Sequence, residues 1–321
     1  MSERERIDDF LRKKYKILPG YSFFFGEDTN QDTVEDFEKA ELRIITVFLS
    51  YGIHRSVSNT FTALNAICHN LVGDRVFVDS CYPPQDKTYQ IMKENNIPFI
   101  FGNVSHAPVS EYDLMLVSHS VICEVLNTPM MYQNSGVPFA FEERIKRNDI
   151  PIIIYGGSSS ISNQMLFGKV KGGHSYVDFA QIGYADNILD DFILKSVDFK
   201  TKYGSLKGKK EEFIDFVLKD KKLRTYFYYP VGYEHVYEPG STKIKEIRIV
   251  DNRVPEKIKV NRFSEPNFIG FKKKIFNVSG LAAPFADVMI SAGCSSHCCS
   301  FCHPSDTLLF TEDGIRDISM L

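Results

Sequence analysis

This chain of 321 residues lacks several features, and each absence excludes a class of function. No apolar run comes near the ~20 residues that a membrane-spanning helix needs. The N-terminus, Met1-Ser-Glu-Arg-Glu-Arg6, is charged, and no apolar core follows it. No secretory signal is therefore expected, and a cytoplasmic location is. The net charge is only −3, too small for bulk attraction to nucleic acid or to an anionic membrane. Neither is an expected partner. The basic runs at 207–210 and 272–274 read as solvated faces. No Gly-x-Gly-x-x-Gly follows the first apolar strand and no P-loop Lys-Ser/Thr occurs, which argues against a nicotinamide or ATP site. The chain also has no internal repeat and no low-complexity segment.

What is present is alternation. Residues 42–50 form a nearly continuous β-branched run that reads as a buried strand. Residues 58–71 have helical spacing, with Phe61, Leu64, Ile67 and Leu71 on one face. Strands are predicted at 75–79, 97–102, 112–118, 150–155 and 177–182. Helices are predicted at 86–95, at 137–146 and from 187 onward. Strands alternating with helices at this spacing imply parallel β-α-β units with helices on both faces. Right-handed crossovers then give an α/β fold, a Rossmann-like doubly wound parallel sheet.

Ligands of such sheets sit beyond the carboxyl ends of the strands, where the strand order reverses. The predicted strand ends are rich in glycine and serine: Tyr51-Gly52, Ser118-His119-Ser120, Gly156-Gly157-Ser158 and Gly183. Glycine lets a ligand approach the backbone and serine offers a hydroxyl. Ser118, Ser120, Gly156, Gly157, Ser158 and Gly183 are thus candidate cofactor-binding residues. Tight strand-to-helix turns would use the same residues. From about 200 the pattern loosens: a Gly-containing basic stretch, a short helix at 211–218, strands at 225–229 and 244–250, then a loop-like region.

Four of the seven cysteines fall within nine positions, in Gly293-Cys294-Ser-Ser-His297-Cys298-Cys299-Ser-Phe301-Cys302. They follow a short apolar strand at 286–290. In a reducing compartment such density points to metal ligands or nucleophiles rather than disulfides. Cys68, Cys81 and Cys123 lie in apolar surroundings and read as core or near-core thiols.

With its strand ends and this array, the chain resembles a cobalamin-binding-domain radical SAM protein. The radical SAM motif is Cys, three residues, Cys, two residues, Cys, often with an aromatic residue before the last. Cys299-Ser-Phe301-Cys302 matches its second half, and Cys294 follows a glycine. Four residues, not three, separate Cys294 from Cys299, so Cys298 stays open as the alternative second ligand. The resemblance implies a [4Fe–4S] cluster on Cys294, Cys299 and Cys302, with one iron left open. That iron would bind S-adenosylmethionine, whose reductive cleavage yields a 5′-deoxyadenosyl radical for methyl transfer or related radical chemistry. It also implies an electron donor such as flavodoxin or ferredoxin, and cobalamin at the sheet. His54 is the candidate cobalt ligand, although Gly52 stands where the family's Asp-x-His-x-x-Gly has Asp, and Val57 where it has the last Gly. The competing reading is a non-catalytic Rossmann-like binding protein with a zinc knuckle drawn from Cys294, His297, Cys299, Cys302 and His303.

Residues 302–321 resemble the opening block of an intein. Cys302 stands first, Asp306-Thr307 follow four and five residues on, and a Glu312-Asp-Gly314 turn separates two apolar runs. The resemblance makes Cys302 the nucleophile of an N-to-S acyl shift. It implies either a split intein, with a partner carrying the C-terminal intein and extein half, or a truncated gene product, and in both cases a chain that lacks SAM turnover by itself. The expected organisation is an N-terminal extension at 1–40, a Rossmann-like cobalamin-binding-type domain at 41–200 and a connector at 201–285. The start of an incomplete radical SAM barrel follows at 286–301, and the short β intein segment at 302–321.

Overall fold

The computed structural model describes residues 1–14, 32–50, 60–84, 86–119, 122–157, 166–170, 173–241 and 243–261. The strands are β1 (Leu42–Phe48), β2 (Val76–Cys81), β3 (Leu114–Ser118), β4 (Ile152–Gly156), β5 (Lys169–Val170), β6 (Gly173–His174), β7 (Phe179–Gln181), β8 (Phe227–Tyr228), β9 (Tyr233–Tyr237) and β10 (Ile244–Ile249). Six of them form one sheet in the order β2-β1-β3-β4-β7-β8. Neighbours from β2 to β7 pair in parallel, and β8 closes the edge antiparallel to β7. The strand order reverses between β1 and β3.

The helices are α1 (Glu3–Lys14), α2 (Val34–Lys39), α3 (Thr60–Asn70), α4 (Asp86–Glu94), α5 (Asn127–Gln133), α6 (Phe141–Arg144), α7 (Leu189–Tyr203), α8 (Lys210–Lys219) and α9 (Leu223–Tyr226). Side chains alternate along β1, so its apolar run serves two cores. Ile45 and Val47 join residues of α1, α2, α4 and α5 on one face of the sheet. Leu42, Ile44 and Phe48 join α3, α7 and α8 on the other. Cover on both faces is why the parallel strands read as continuous apolar runs rather than as alternation.

The structure departs from the sequence expectation at four places. Residues 97–102 form no strand; Phe101 makes only an isolated bridge to Pro108. Pro98 has no amide donor, and the N–H groups of Phe99 and Ile100 both donate to the Ser135 hydroxyl, at 3.0 and 2.8 Å. The backbone is satisfied by a side chain instead of a ladder. The helix expected at 137–146 shrinks to α6, four residues long. Cys123 is exposed, whereas Cys68 and Cys81 are buried. In the basic run, Lys210 is 3% exposed and donates to the carbonyls of Arg144 and Arg147 at 2.6 and 2.7 Å, so that run is not a solvated face.

The first residues and the region after 200 both share these cores. Ile7, Phe10, Leu11 and Phe37 are buried with β1 and β2. Phe213, Val217, Leu218 and Phe227 are buried with α7, and β8 extends the sheet.

Candidate functional site at the carboxyl edge of the sheet

The carboxyl ends of β1, β3 and β4 lie side by side: Phe48 is in register with Ser118, and Ser118 with Gly156. Hydrogen bonds continue past the strands. The Leu49 N–H donates to the Ser118 carbonyl at 3.3 Å, and the His119 N–H to the Gly156 carbonyl at 2.9 Å. Asn127 adds its side-chain amide to the Leu49 carbonyl at 2.8 Å. Ser118 and His119 are both buried at this edge.

His119 is the chemically distinctive group here. Its Nδ1 is hydrogen-bonded to the Tyr155 hydroxyl. Tyr155 packs edge-on against Phe167, with ring centroids 5.8 Å apart. The pair therefore sits in an apolar setting, where an imidazole–phenol hydrogen bond fixes both rings. Neither residue stands out by spacing; the Ser118-His119-Ser120 tripeptide at a strand end was the available signal.

The glycines of this edge have a structural use. Gly157 has φ +112°, and a Cβ there would lie 2.2 Å from the His119 carbonyl oxygen. Gly183 has φ +93°, and a Cβ there would lie 2.1 Å from the Asn261 carbonyl oxygen. Asn261 is held by its N–H on the Ile182 carbonyl at 3.0 Å and by its side-chain amide on the Tyr184 and Asp186 carbonyls. At these two positions the room that glycine leaves is filled by the chain's own backbone.

Of the predicted site residues, the structure brings Ser118, Gly156 and Gly157 together and places Gly183 at the end of β7. Ser120, Ser158, His54, Cys294, Cys298, Cys299, Cys302, His297 and His303 lie outside the described residues. Among the described residues no group of His, Cys, Asp and Glu could hold a metal ion, and no helix is long and apolar enough to cross a membrane.

The buried thiols and charges elsewhere are structural. Burial pushes the Cys68 thiol pKa up strongly and that of Cys81 to about 12, which keeps both protonated and unreactive. The buried carboxylate of Asp79 accepts the N–H groups of Ser80, Val104 and Ser105 and the hydroxyls of Ser105 and Tyr112. Arg144, fully buried, places Nε and a terminal nitrogen 3.1 and 2.8 Å from Asp178 Oδ1, and its other donors meet the carbonyls of Pro138, Phe139 and Ser175. Every ionic group in these two networks has a partner, as buried charge requires.

Sheet order and helix cover define the class: a mixed α/β protein built on a six-stranded, mostly parallel sheet. Within it, residues 65–222 match the family model described as Radical SAM proteins, N-terminal. The match runs from α3 to α8 and supports a radical SAM protein, a family that implies a [4Fe–4S] cluster and S-adenosylmethionine. Comparison with curated proteins and with solved structures returned no match.

Proposed function

We propose that this protein is a radical SAM enzyme whose [4Fe–4S] cluster is held by Cys294, Cys299 and Cys302. The observation that carries this reading is an order of features. A region matching the N-terminal family of radical SAM proteins is followed in the same chain by four cysteines within nine positions. The donor set suits the group: three thiolates satisfy three irons of a [4Fe–4S] cluster and leave the fourth for substrate. When bound, the cluster supplies the electron for reductive cleavage of S-adenosylmethionine. The chain's own part is to present deprotonated thiols close together. Cys298 is the alternative to Cys299 as the second ligand. A flavodoxin or ferredoxin is the matching class of electron donor.

Residues 302–321 extend the proposal. The Cys302 thiol attacks the carbonyl carbon of Phe301. The Phe301–Cys302 peptide bond breaks, a thioester forms at Sγ, and the thiol proton ends on the freed Cys302 amine. Because Cys302 would leave with an intein, the segment joined in its place must begin with Cys to restore the third ligand. The filled backbone space at Gly157 and Gly183 gives no support to cobalamin at the sheet edge, and no step is routed through it.

Anaerobic reconstitution with iron and sulfide tests the cluster. A brown protein with a broad visible charge-transfer band is expected, and Cys294→Ala or Cys299→Ala should lose it. Stoichiometric zinc without that band overturns the reading in favour of a zinc knuckle. Incubation with a thiol should cleave the chain after Phe301 and leave Cys302→Ala intact; a wild-type chain that stays whole removes the intein part.

A further inference from the structure

β9 and β10 pair antiparallel as a two-stranded ribbon outside the main sheet. Its register sorts the side chains. Tyr233 faces Ile249, His235 faces Ile247 and Tyr237 faces Ile244, so these six share one side, with a bulge between Ile244 and Glu246. Glu234 and Arg248 pair on the other side, where Arg248 also bonds Glu246 at 2.5 Å. The ribbon is therefore amphipathic, yet its apolar side is open. Ile247 is 58% exposed and Ile249 44%. Of the ten exposed large hydrophobic residues among those described, five are Tyr237, Ile244, Ile247, Ile249 and Val250. Among the described residues the base is the anchored part: Tyr233 stacks on Tyr228 with ring centroids 5.0 Å apart and donates its hydroxyl to the Pro255 carbonyl at 2.6 Å. A lone two-stranded ribbon is marginal in water, and a contiguous exposed apolar patch marks an interaction surface.

We propose that the apolar side of this ribbon is the docking surface for residues 281–290 of the same chain. The inference rests on the reading above, in which the radical SAM domain begins at 286. Three observations select this occupant. The described chain passes from β10 to Asn261, which bridges Gly183 just past β7, so the stretch that follows starts twelve residues after the ribbon ends at Ile249. About twenty residues separate Asn261 from 281, a reach of up to roughly 70 Å, against a ribbon about 20 Å long. A segment tethered that closely has an effective concentration near the millimolar range, well above that of a separate molecule. The chemistry also matches: Leu281-Ala-Ala-Pro-Phe-Ala-Asp-Val-Met-Ile290 carries Asp287 as its only charge, and the six ribbon side chains include no carboxylate and no ammonium.

Site-specific photo-cross-linking of the full chain tests this. Ile247 is replaced by p-benzoylphenylalanine, with Arg248 on the polar side replaced in parallel as the control. Cross-links from position 247 should map to peptides within 281–290, inside a single chain, and be lost from position 248. Cross-links joining two chains would assign the surface to a second copy. Cross-links elsewhere in the chain, or none, would leave 281–290 undocked. Each of these results overturns the proposal. Iron–sulfur reconstitution on the same sample separates the two readings: a cluster without the cross-link sinks the docking alone, and the cross-link without a cluster sinks the radical SAM reading alone.

Discussion

The main sheet and the β9–β10 ribbon are made of similar residues and meet opposite fates. β2 and β3 are buried at every position, and β4 at all but Gly156. All six residues of β10 are exposed. Isoleucine is frequent in both, so propensity does not separate them. Cover does: helices lie on both faces of the sheet, whereas among the described residues the ribbon is packed at its base, where Tyr233 stacks on Tyr228, and β10 is exposed throughout. Strand propensity amounts to a fit to a pleated surface that something else must bury.

Mutations at paired positions sharpen that contrast. The largest effect is expected where the sheet layer buries a charge. Arg144→Met strips Asp178 of its guanidinium partner and leaves only the Ile153 N–H on Oδ2, and urea unfolding should show a loss of about 3–5 kcal/mol. The exposed Arg248–Glu246 pair of the ribbon is its counterpart, and Arg248→Ala should cost under about 0.5 kcal/mol. Ile153→Ala, in β4 with no exposure, should cost about 2–5 kcal/mol. Equal losses for Ile153→Ala and Ile247→Ala would break the comparison unless 281–290 covers the ribbon. Gly102→Ala should cost about 1–3 kcal/mol by overpacking, because its Cβ would fall 2.0 Å from the Tyr112 hydroxyl and 2.1 Å from Asp79 Oδ2.

A smaller effect is carried by pH. Burial pushes the Lys210 pKa down to about 8, while an unfolded lysine titrates near ~10.4. Between those values the unfolded chain holds a proton that the folded chain has released. Stability should therefore rise with pH across that window, and Lys210→Met should flatten the rise in a series of denaturant titrations. A profile unchanged by that substitution would show that the two carbonyls beside Lys210 offset its desolvation.

The parallel strands were legible because burial on both faces leaves nearly uninterrupted apolar runs at 42–48, 114–118 and 152–155. The run at 97–102 was equally apolar and misled, because Pro98 and the Ser135 hydroxyl redirected its backbone. Lys210 looked like part of a solvated charge run, and only the fold supplies its two carbonyls. Gly157 and Gly183 were legible as places of close approach. What approaches them is His119 and Asn261, and the latter lies 78 residues beyond Gly183. His119 and Tyr155 gave no spacing signal, since a bond between the ends of adjacent strands has no local period.

By itself the sequence determined which segments could be helix or strand, the doubly covered character of the strands and the crowded thiols at 294–302. These follow from residue periodicity and composition, which act over a few neighbours. Tertiary structure alone decided the reversal of strand order between β1 and β3, the Arg144–Asp178 and Asp79 networks, and the use of the edge glycines. Those depend on groups dozens of residues apart that meet only when two cores close around one sheet, where a buried charge has to find a partner.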